Sequence, residues 1–258
     1  MRACLSIAVV VAALLAAMPA ARAQEVRVEV SGEVRQPGAR QLPNGSRLAA
    51  AAVAAGPTME AYPLGAALLR ADAEVEQRRL KAGLLYELEV LATFPEISAE
   101  VAARAVVLRD WLDALPVTGR VHVELDPRRL ELDLASNRRL ASGDRFVYPP
   151  RPTTIQVVGA VSEPCTLAHV PLRSAIDYLR ECLPVAGADR ELLFAIQPDG
   201  TVQRLGTALW NRSAPQALAP GAVLYVPLDE REVSERVPEF NDELARFIAT
   251  QLLPGVTP

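Results

Sequence analysis

The residues of this chain that could do chemistry are few, and their spacing offers no reaction centre. No serine sits in a nucleophile elbow, no glycine-rich run has phosphate-loop spacing, and no Cys/His cluster has the spacing of zinc ligands. The two histidines, His122 and His169, lie far apart in sequence. Acidic residues gather in short clusters: Glu87 with Glu89, Asp110 with Asp113, and Asp229 with Glu230 and Glu232. Glycoside hydrolysis requires two carboxyls at a fixed separation, but solvated acidic clusters are far commoner than active sites. The expectation is a protein with no catalytic residue, metal or cofactor, and not an enzyme.

One polar side chain stands out. Arg120 closes the segment Pro116-Val117-Thr118-Gly119-Arg120, in which Gly119 permits close backbone approach. Its guanidinium offers five donors to a carboxylate or a sugar hydroxyl, which makes it a candidate ligand-binding residue. The alternative is a structural arginine that ties a helical hairpin to the sheet. Exposed aromatics, the usual platform for sugar rings, are scarce. The chain has 5 Phe, 2 Trp and 5 Tyr, and Phe146, Tyr148 and Tyr225 lie in strand patterns that feed the core.

Charge and the N-terminus bound the class. Arg2, the apolar run from Ala3 to Ala17, the break at Met18-Pro19 and the small-x-small Ala21-Arg22-Ala23 predict a secretory signal peptide over residues 1–23. An uncleaved anchor is the alternative, since Ala3 to Ala21 just reaches the length of a bilayer span. Cys4 precedes the apolar run and is badly placed for lipid attachment. Cleavage before Gln24 removes two arginines and no acid, leaving 25 basic against 31 acidic residues, a net charge of −6. That charge disfavours nucleic acid and anionic membrane surfaces as partners. A soluble periplasmic chain with no transmembrane segment in its mature part is expected.

An internal repeat sets the architecture. Val30, Gly32, Val34 and Pro37 recur 127 residues later as Val157, Gly159, Val161 and Pro164. The segment from Leu140 to Pro149 is echoed in turn from Leu218 to Pro227. Two signals in the same order mean two copies of one unit. Each opens with an alternating β-branched strand and a turn, at Pro37-Gly38 in the first copy. A returning strand follows, then a helix: Arg47 to Ala55 in copy one, Leu172 to Cys182 in copy two, with Leu172, Ile176 and Leu179 at helical spacing. Further strands are predicted at Ala66 to Arg70, Leu192 to Gln197 and Val202 to Leu205, the last two joined by Pro198-Asp199-Gly200.

Copy one carries an insertion at residues 73–115. Ala73 to Phe94 and Ser98 to Leu115 read as two antiparallel helices, one facing inward through Leu80, Leu84, Leu88 and Leu91, the other through Val101, Ala105, Leu108, Leu112 and Leu115. Val121 to Leu125 and Leu130 to Leu134 read as strands that resume the sheet. Val237 to Leu253 is an amphipathic helix of roughly 25 Å, short of a hydrocarbon core. The class is α+β: two tandem β-grasp-like domains at 24–150 and 151–229, a helical hairpin inserted in the first, and a C-terminal amphipathic helix and tail at 230–258.

The cysteines fit this plan. Cys165 and Cys182 survive processing, and an even pair in an exported chain suggests one disulfide. A strand running away from Cys165 and a helix returning to Cys182 bring both to the same end of the unit.

The opening V-x-V-x-G-x-V-x-x-P-G resembles the soluble-ligand-binding (SLBB) β-grasp domain of bacterial polysaccharide export. With Pro116 to Arg120, Gly143 to Pro149 and Gly159 to Pro164, the whole pattern is similar to the capsule biosynthesis GfcC family. The resemblance implies a non-enzymatic periplasmic accessory of capsule or exopolysaccharide assembly and export in a Gram-negative cell. Such a protein acts by binding a partner protein or a glycan, and its expected partners are the export and assembly proteins of the envelope. It also implies kinship with Wza-like export proteins, which form outer-membrane rings. A ring component and, after it, a glycan-modifying enzyme are the alternative readings. The missing lipidation cysteine and the short, charged C-terminal helix favour a soluble partner over a conduit.

Overall fold

The computed structural model describes residues 25–255, so the signal peptide expected at 1–23 lies outside the described residues. The first unit holds β1 (Glu25–Gly32), β2 (Gly38–Pro43), α1 (Leu48–Ala55), β3 (Ala67–Leu69), α2 (Ala71–Thr93), α3 (Ala99–Ala114), β4 (Arg120–Val121), α4 (Pro127–Leu132) and β5 (Arg145–Tyr148). The second holds β6 (Thr154–Gly159), β7 (Cys165–Ala168), α5 (Ala175–Tyr178), β8 (Leu192–Ile196), β9 (Val202–Gly206) and β10 (Val223–Val226). Two helices close the chain, α6 (Glu230–Val233) and α7 (Phe240–Ala249).

Both units build the same mixed sheet. Strand order is β2-β1-β5-β3-β4 in one and β7-β6-β10-β8-β9 in the other, with the first and last strands of each unit paired in parallel. This is the β-grasp order, and it makes the protein α+β with two tandem domains. Period-two alternation sets the faces: Val26, Val28 and Val30 of β1 are buried, while Glu25, Arg27 and Glu29 are exposed. The repeated glycines have one shared physical cause. Gly32 and Gly159 sit at φ of +87° and +101°, and a Cβ there would lie 2.0 Å from the Tyr148 carbonyl oxygen and 2.2 Å from that of Val226. Only glycine lets the parallel strand pass so close.

The inserted hairpin does not stay with its own sheet. Leu84, Leu88 and Leu91 of α2, and Val101, Ala105, Leu108 and Leu112 of α3, share one core with Ile155, Val157, Phe194, Tyr225, Phe240 and Phe247. Helix α7 is the mediator, packed against α2 on one side and against β8 and β9 on the other. Asn241 locks it in place: its side-chain oxygen accepts from Tyr225 Oη at 2.9 Å and Leu228 N at 3.2 Å, while its amide donates to the Leu228 carbonyl at 3.0 Å. The first sheet keeps a separate core around Val28, Val30, Leu48 and Phe146.

Several sequence-based elements come out differently. The segment Leu130 to Leu134, read as a strand, belongs to α4 and the turn after it, with Leu132 and Leu134 exposed. The deciding signal was Asp126-Pro127: Asp126 Oδ1 accepts from the backbone N–H of Arg128 at 2.9 Å, and Pro127 presets the first helical φ. Of the strand expected at Val121 to Leu125, only Val121 joins the ladder, because β3 offers just three residues to pair with. The helix expected from Leu172 to Cys182 is regular only over Ala175–Tyr178. Ser174 caps it by accepting from Asp177 N, and Leu172 lies outside at φ +61°, fully solvated rather than on a buried face. The C-terminal helix is likewise shorter than Val237 to Leu253, running from Phe240 to Ala249 after Pro238. Among the described residues no helix is long and apolar enough to cross a membrane.

The Cα atoms of Cys165 and Cys182 stand 6.2 Å apart with their sulfurs joined, within the usual range for a bridge. Thiol titration of unfolded, non-reduced protein should find neither cysteine free, and Cys182→Ser should cost about 3 kcal/mol in denaturant unfolding. Two free thiols would rule the bridge out.

At the α2–α7 contact, Glu87 Oε2 is buried without a hydrogen-bond partner. Burial first, and Glu243 second, hold the Glu87 carboxyl above its ordinary range. A carboxyl raised in the folded state penalises folding above that raised pKa, and the penalty vanishes below its unfolded value of about 4.3. Glu87→Gln should therefore raise the melting temperature at pH 7, by less than about 1 kcal/mol equivalent. The advantage should fade as pH falls toward 4; a constant advantage across that range contradicts the assignment.

Candidate functional site

The site is built where three parts of the chain meet: the edge strand β4, the β8–β9 turn and the end of α7. Gln77 of α2 fixes the approach, its side-chain oxygen accepting from Gly119 N at 2.8 Å and its amide donating to the Arg120 carbonyl at 2.9 Å. Gly119 has φ +71°, and a Cβ there would lie 2.5 Å from the Arg70 carbonyl oxygen, so the close approach expected of this glycine is present. Thr118 Oγ1 donates to the Thr250 carbonyl at 2.7 Å, pinning the C-terminal segment alongside.

Arg120 enters this joint almost fully buried, at 4% exposure. Its Nη1 donates to the Gln251 carbonyl at 2.9 Å and, at 3.5 Å, to that of Ala249. Its Nη2 donates to the Pro198 carbonyl in the β8–β9 turn. A cation here satisfies carbonyls that the last turn of α7 leaves open, and it lies at the negative end of the helix dipole. What it does not have is a carboxylate: Arg120 makes no ion pair among the described residues, and its Nε is buried with no partner. Desolvation lowers the guanidinium pKa to about 10, and the charge of Asp199 offsets only part of this. His122, two residues on, is also pushed below its ordinary range, by desolvation and then by the Arg120 charge.

A cavity of about 280 Å³ opens beside the guanidinium. Its walls are mainly apolar, from Val223, Ile248 and Leu252, with Trp111 of α3 on one side and Gln156 and Gln251 among the polar groups. An indole face, amide groups and an unpaired cation can together hold a small anionic ligand with an apolar face. Trp111 was not singled out by sequence reasoning. The signal was present, since it flanks the Val101–Ala105–Leu108–Leu112 face, one residue from its last member.

The acidic clusters serve elsewhere. Glu89 pairs with Arg109 at 2.8 Å, and Arg109 also reaches Asp110 at 3.2 Å. Asp229 caps α6 by accepting from Arg231 N at 3.0 Å, and Glu232 accepts from Ser98 N at 2.9 Å. None of these residues, nor Glu87, Asp113 or Glu230, lines the Arg120 cavity. Cys165 and Cys182 lie apart from it, at the β7–α5 end of the second sheet.

The architecture defines a protein of two tandem β-grasp-like domains joined by an inserted hairpin and a C-terminal helix around a buried arginine. The chain belongs to the capsule biosynthesis GfcC family: residues 24–150 match its N-terminal part and residues 163–253 its C-terminal part. It is also 31% identical over 157 residues to the uncharacterized protein YjbG of Escherichia coli (strain K12). That likeness covers 61% of this chain and 63% of YjbG, less than two thirds of either.

The joint itself can be tested. Arg120→Lys keeps the charge but cannot reach carbonyls on two segments with one ammonium. It should lower stability by about 1–3 kcal/mol and speed amide exchange in residues 247–253. Unchanged exchange there would show that Arg120 does not hold the C-terminal segment.

Proposed function

We propose that the chain is a non-enzymatic periplasmic accessory of capsule or exopolysaccharide assembly, and that it holds an acidic glycan segment in the Arg120 cavity. The observation that carries this reading is the buried guanidinium without a carboxylate partner. A cation compensated only in part, in a low-dielectric setting, attracts an anion far more strongly than a solvated one does. The carboxylate of an acidic sugar fits that charge, and the apolar face of the same ring fits Trp111. Export is supported by the sequence features of residues 1–23 and by a cysteine pair placed for a disulfide, the chemistry of an oxidising compartment. The family match supports partners among the envelope's assembly proteins.

The test is calorimetric titration of residues 24–258 with tetragalacturonate and with uncharged cellohexaose. Tetragalacturonate should bind the cavity, and more weakly as salt rises. Arg120→Met and Trp111→Ala should each weaken that binding by about tenfold or more while circular dichroism stays native-like. Tetragalacturonate binding that survives both substitutions, or no binding at all, would sink the assignment of the cavity.

A further inference from the structure

A second site lies toward the other end of α7, beside the loop that joins β9 to β10. Leu209 and Trp210 stand at its tip, 87% and 74% exposed. A large exposed apolar pair is unremarkable on a floppy loop, which can turn inward or average its exposure. This loop is held on all sides. Thr207 N donates to the Glu191 carbonyl at 2.9 Å, and Thr207 Oγ1 to that of Arg190 at 3.0 Å. Asn211 works in both directions, accepting from Ala208 N at 3.0 Å and donating to the Glu191 carbonyl at 3.0 Å. Ser213 closes the frame, its N–H donating to the Gly206 carbonyl at 3.0 Å while its Oγ accepts from Gly206 N at 2.9 Å. The indole is presented to solvent by a fixed scaffold, at the cost of leaving its apolar surface wet.

Trp210 forms one wall of an open cleft of about 420 Å³, whose other walls include Glu191, Arg204 and Arg231. The arginines in this cleft are already paired, and the carboxylates outnumber them. Arg231 pairs with Glu191 at 3.0 Å, and Arg204 with Glu230 at 3.3 Å and Asp242 at 3.2 Å. Asp189 is committed to the backbone, accepting from Glu191 N at 2.7 Å and Glu230 N at 2.9 Å. An anionic ligand therefore meets carboxylates that repel it, and a cation meets carboxylates already engaged by guanidinium or backbone N–H groups. The same carboxylates make an anionic bilayer a poor occupant, although Trp and Leu at a loop tip would otherwise suit one. An uncharged polyhydroxy ring gains from every group present. Its hydroxyls donate to the ion-paired carboxylates and accept from the guanidinium groups, which the pairing holds in fixed planes. Its C–H face lies on the indole.

We infer that this cleft is a glycan subsite that takes an uncharged pyranose ring against Trp210. The choice of ligand class rests on the glycan reading above, but the site shares no residue with the Arg120 cavity.

The chain has 2 tryptophans, one in each site, so each site can report on itself. In the Trp111→Phe protein Trp210 is the sole indole, and its emission is titrated with cello-, malto- and laminarihexaose. At least one of these should blue-shift it saturably, with little dependence on salt. By calorimetry, Trp210→Ala should lose that binding by about tenfold, while retaining its fold by circular dichroism. Trp210 emission that ignores all three sugars overturns the proposal, as does undiminished binding by Trp210→Ala. Emission that instead shifts with protein concentration alone overturns it in favour of an interface between two copies. The Trp210→Phe protein, in which Trp111 is the sole indole, is titrated with tetragalacturonate in parallel. Its response reads the Arg120 cavity alone, so failure there leaves the Trp210 result standing, and the reverse holds too.

Discussion

The rest of the structure hangs on a guanidinium that gives up water without gaining an ion pair. Arg120 donates to carbonyls of the C-terminal segment and of the β8–β9 turn while its own backbone belongs to the first sheet. Burying a cation this way is costly, and it persists only where several carbonyls and a helix dipole share the charge. Those carbonyls come from two distant segments, so satisfying the arginine fixes the relative placement of both domains and the C-terminal helix. Gln77 and Thr118 then hold the neighbouring backbone against the same groups.

The duplication explains why such a joint exists at all. The two sheets have the same order, but the link between their third and fourth strands differs. In the first unit that link is the α2–α3 hairpin; in the second it is the tight Pro198-Asp199-Gly200 turn. A short turn leaves the adjoining face of the second sheet uncovered. The hairpin inserted in the first unit, together with α7, covers that face and shares its core. One copy's insertion thus completes the other copy's interior, and the turn that replaced it supplies the Pro198 carbonyl to Arg120. The architecture is less a pair of independent domains than one duplicated unit with its cover exchanged.

The sequence revealed what repetition and strict periodicity encode. The β1 alternation, the glycines at 32 and 159 and the apolar faces of α2 and α3 could all be read locally, because each is set by the pleat, a close backbone contact or the helical turn. Leu130, Leu132 and Leu134 misled because three alternating leucines outweighed a capping aspartate and a proline. Leu172 misled because helical spacing was extended past Ser174, where the cap begins. Arg120 was visible as a candidate from its short motif, but its partners were not. They lie 78 to 131 residues away, and nothing in local spacing encodes such contacts. The two tryptophans were hidden for the same reason. Whether an indole is core or platform depends on what packs across it, and sparse aromatics had argued against any platform.

The arginines of this chain sort by what already neutralises them, and that sorting carries the chemistry of each surface. Arg70 is satisfied: Nε and Nη2 grip both oxygens of the buried Asp144 at 2.9 Å, a bidentate pair that only holds strands together. Arg204 and Arg231 are paired but exposed, so they keep spare donors in fixed directions with their own charge cancelled. Arg120 is buried without an ion pair, its charge offset by carbonyl dipoles and only in part by Asp199. A site of the second kind selects for hydroxyls and shape, and a site of the third selects for negative charge. The second and third kinds stand at opposite ends of α7: Arg204 reaches Asp242 in its first turn, and Arg120 the Ala249 carbonyl in its last.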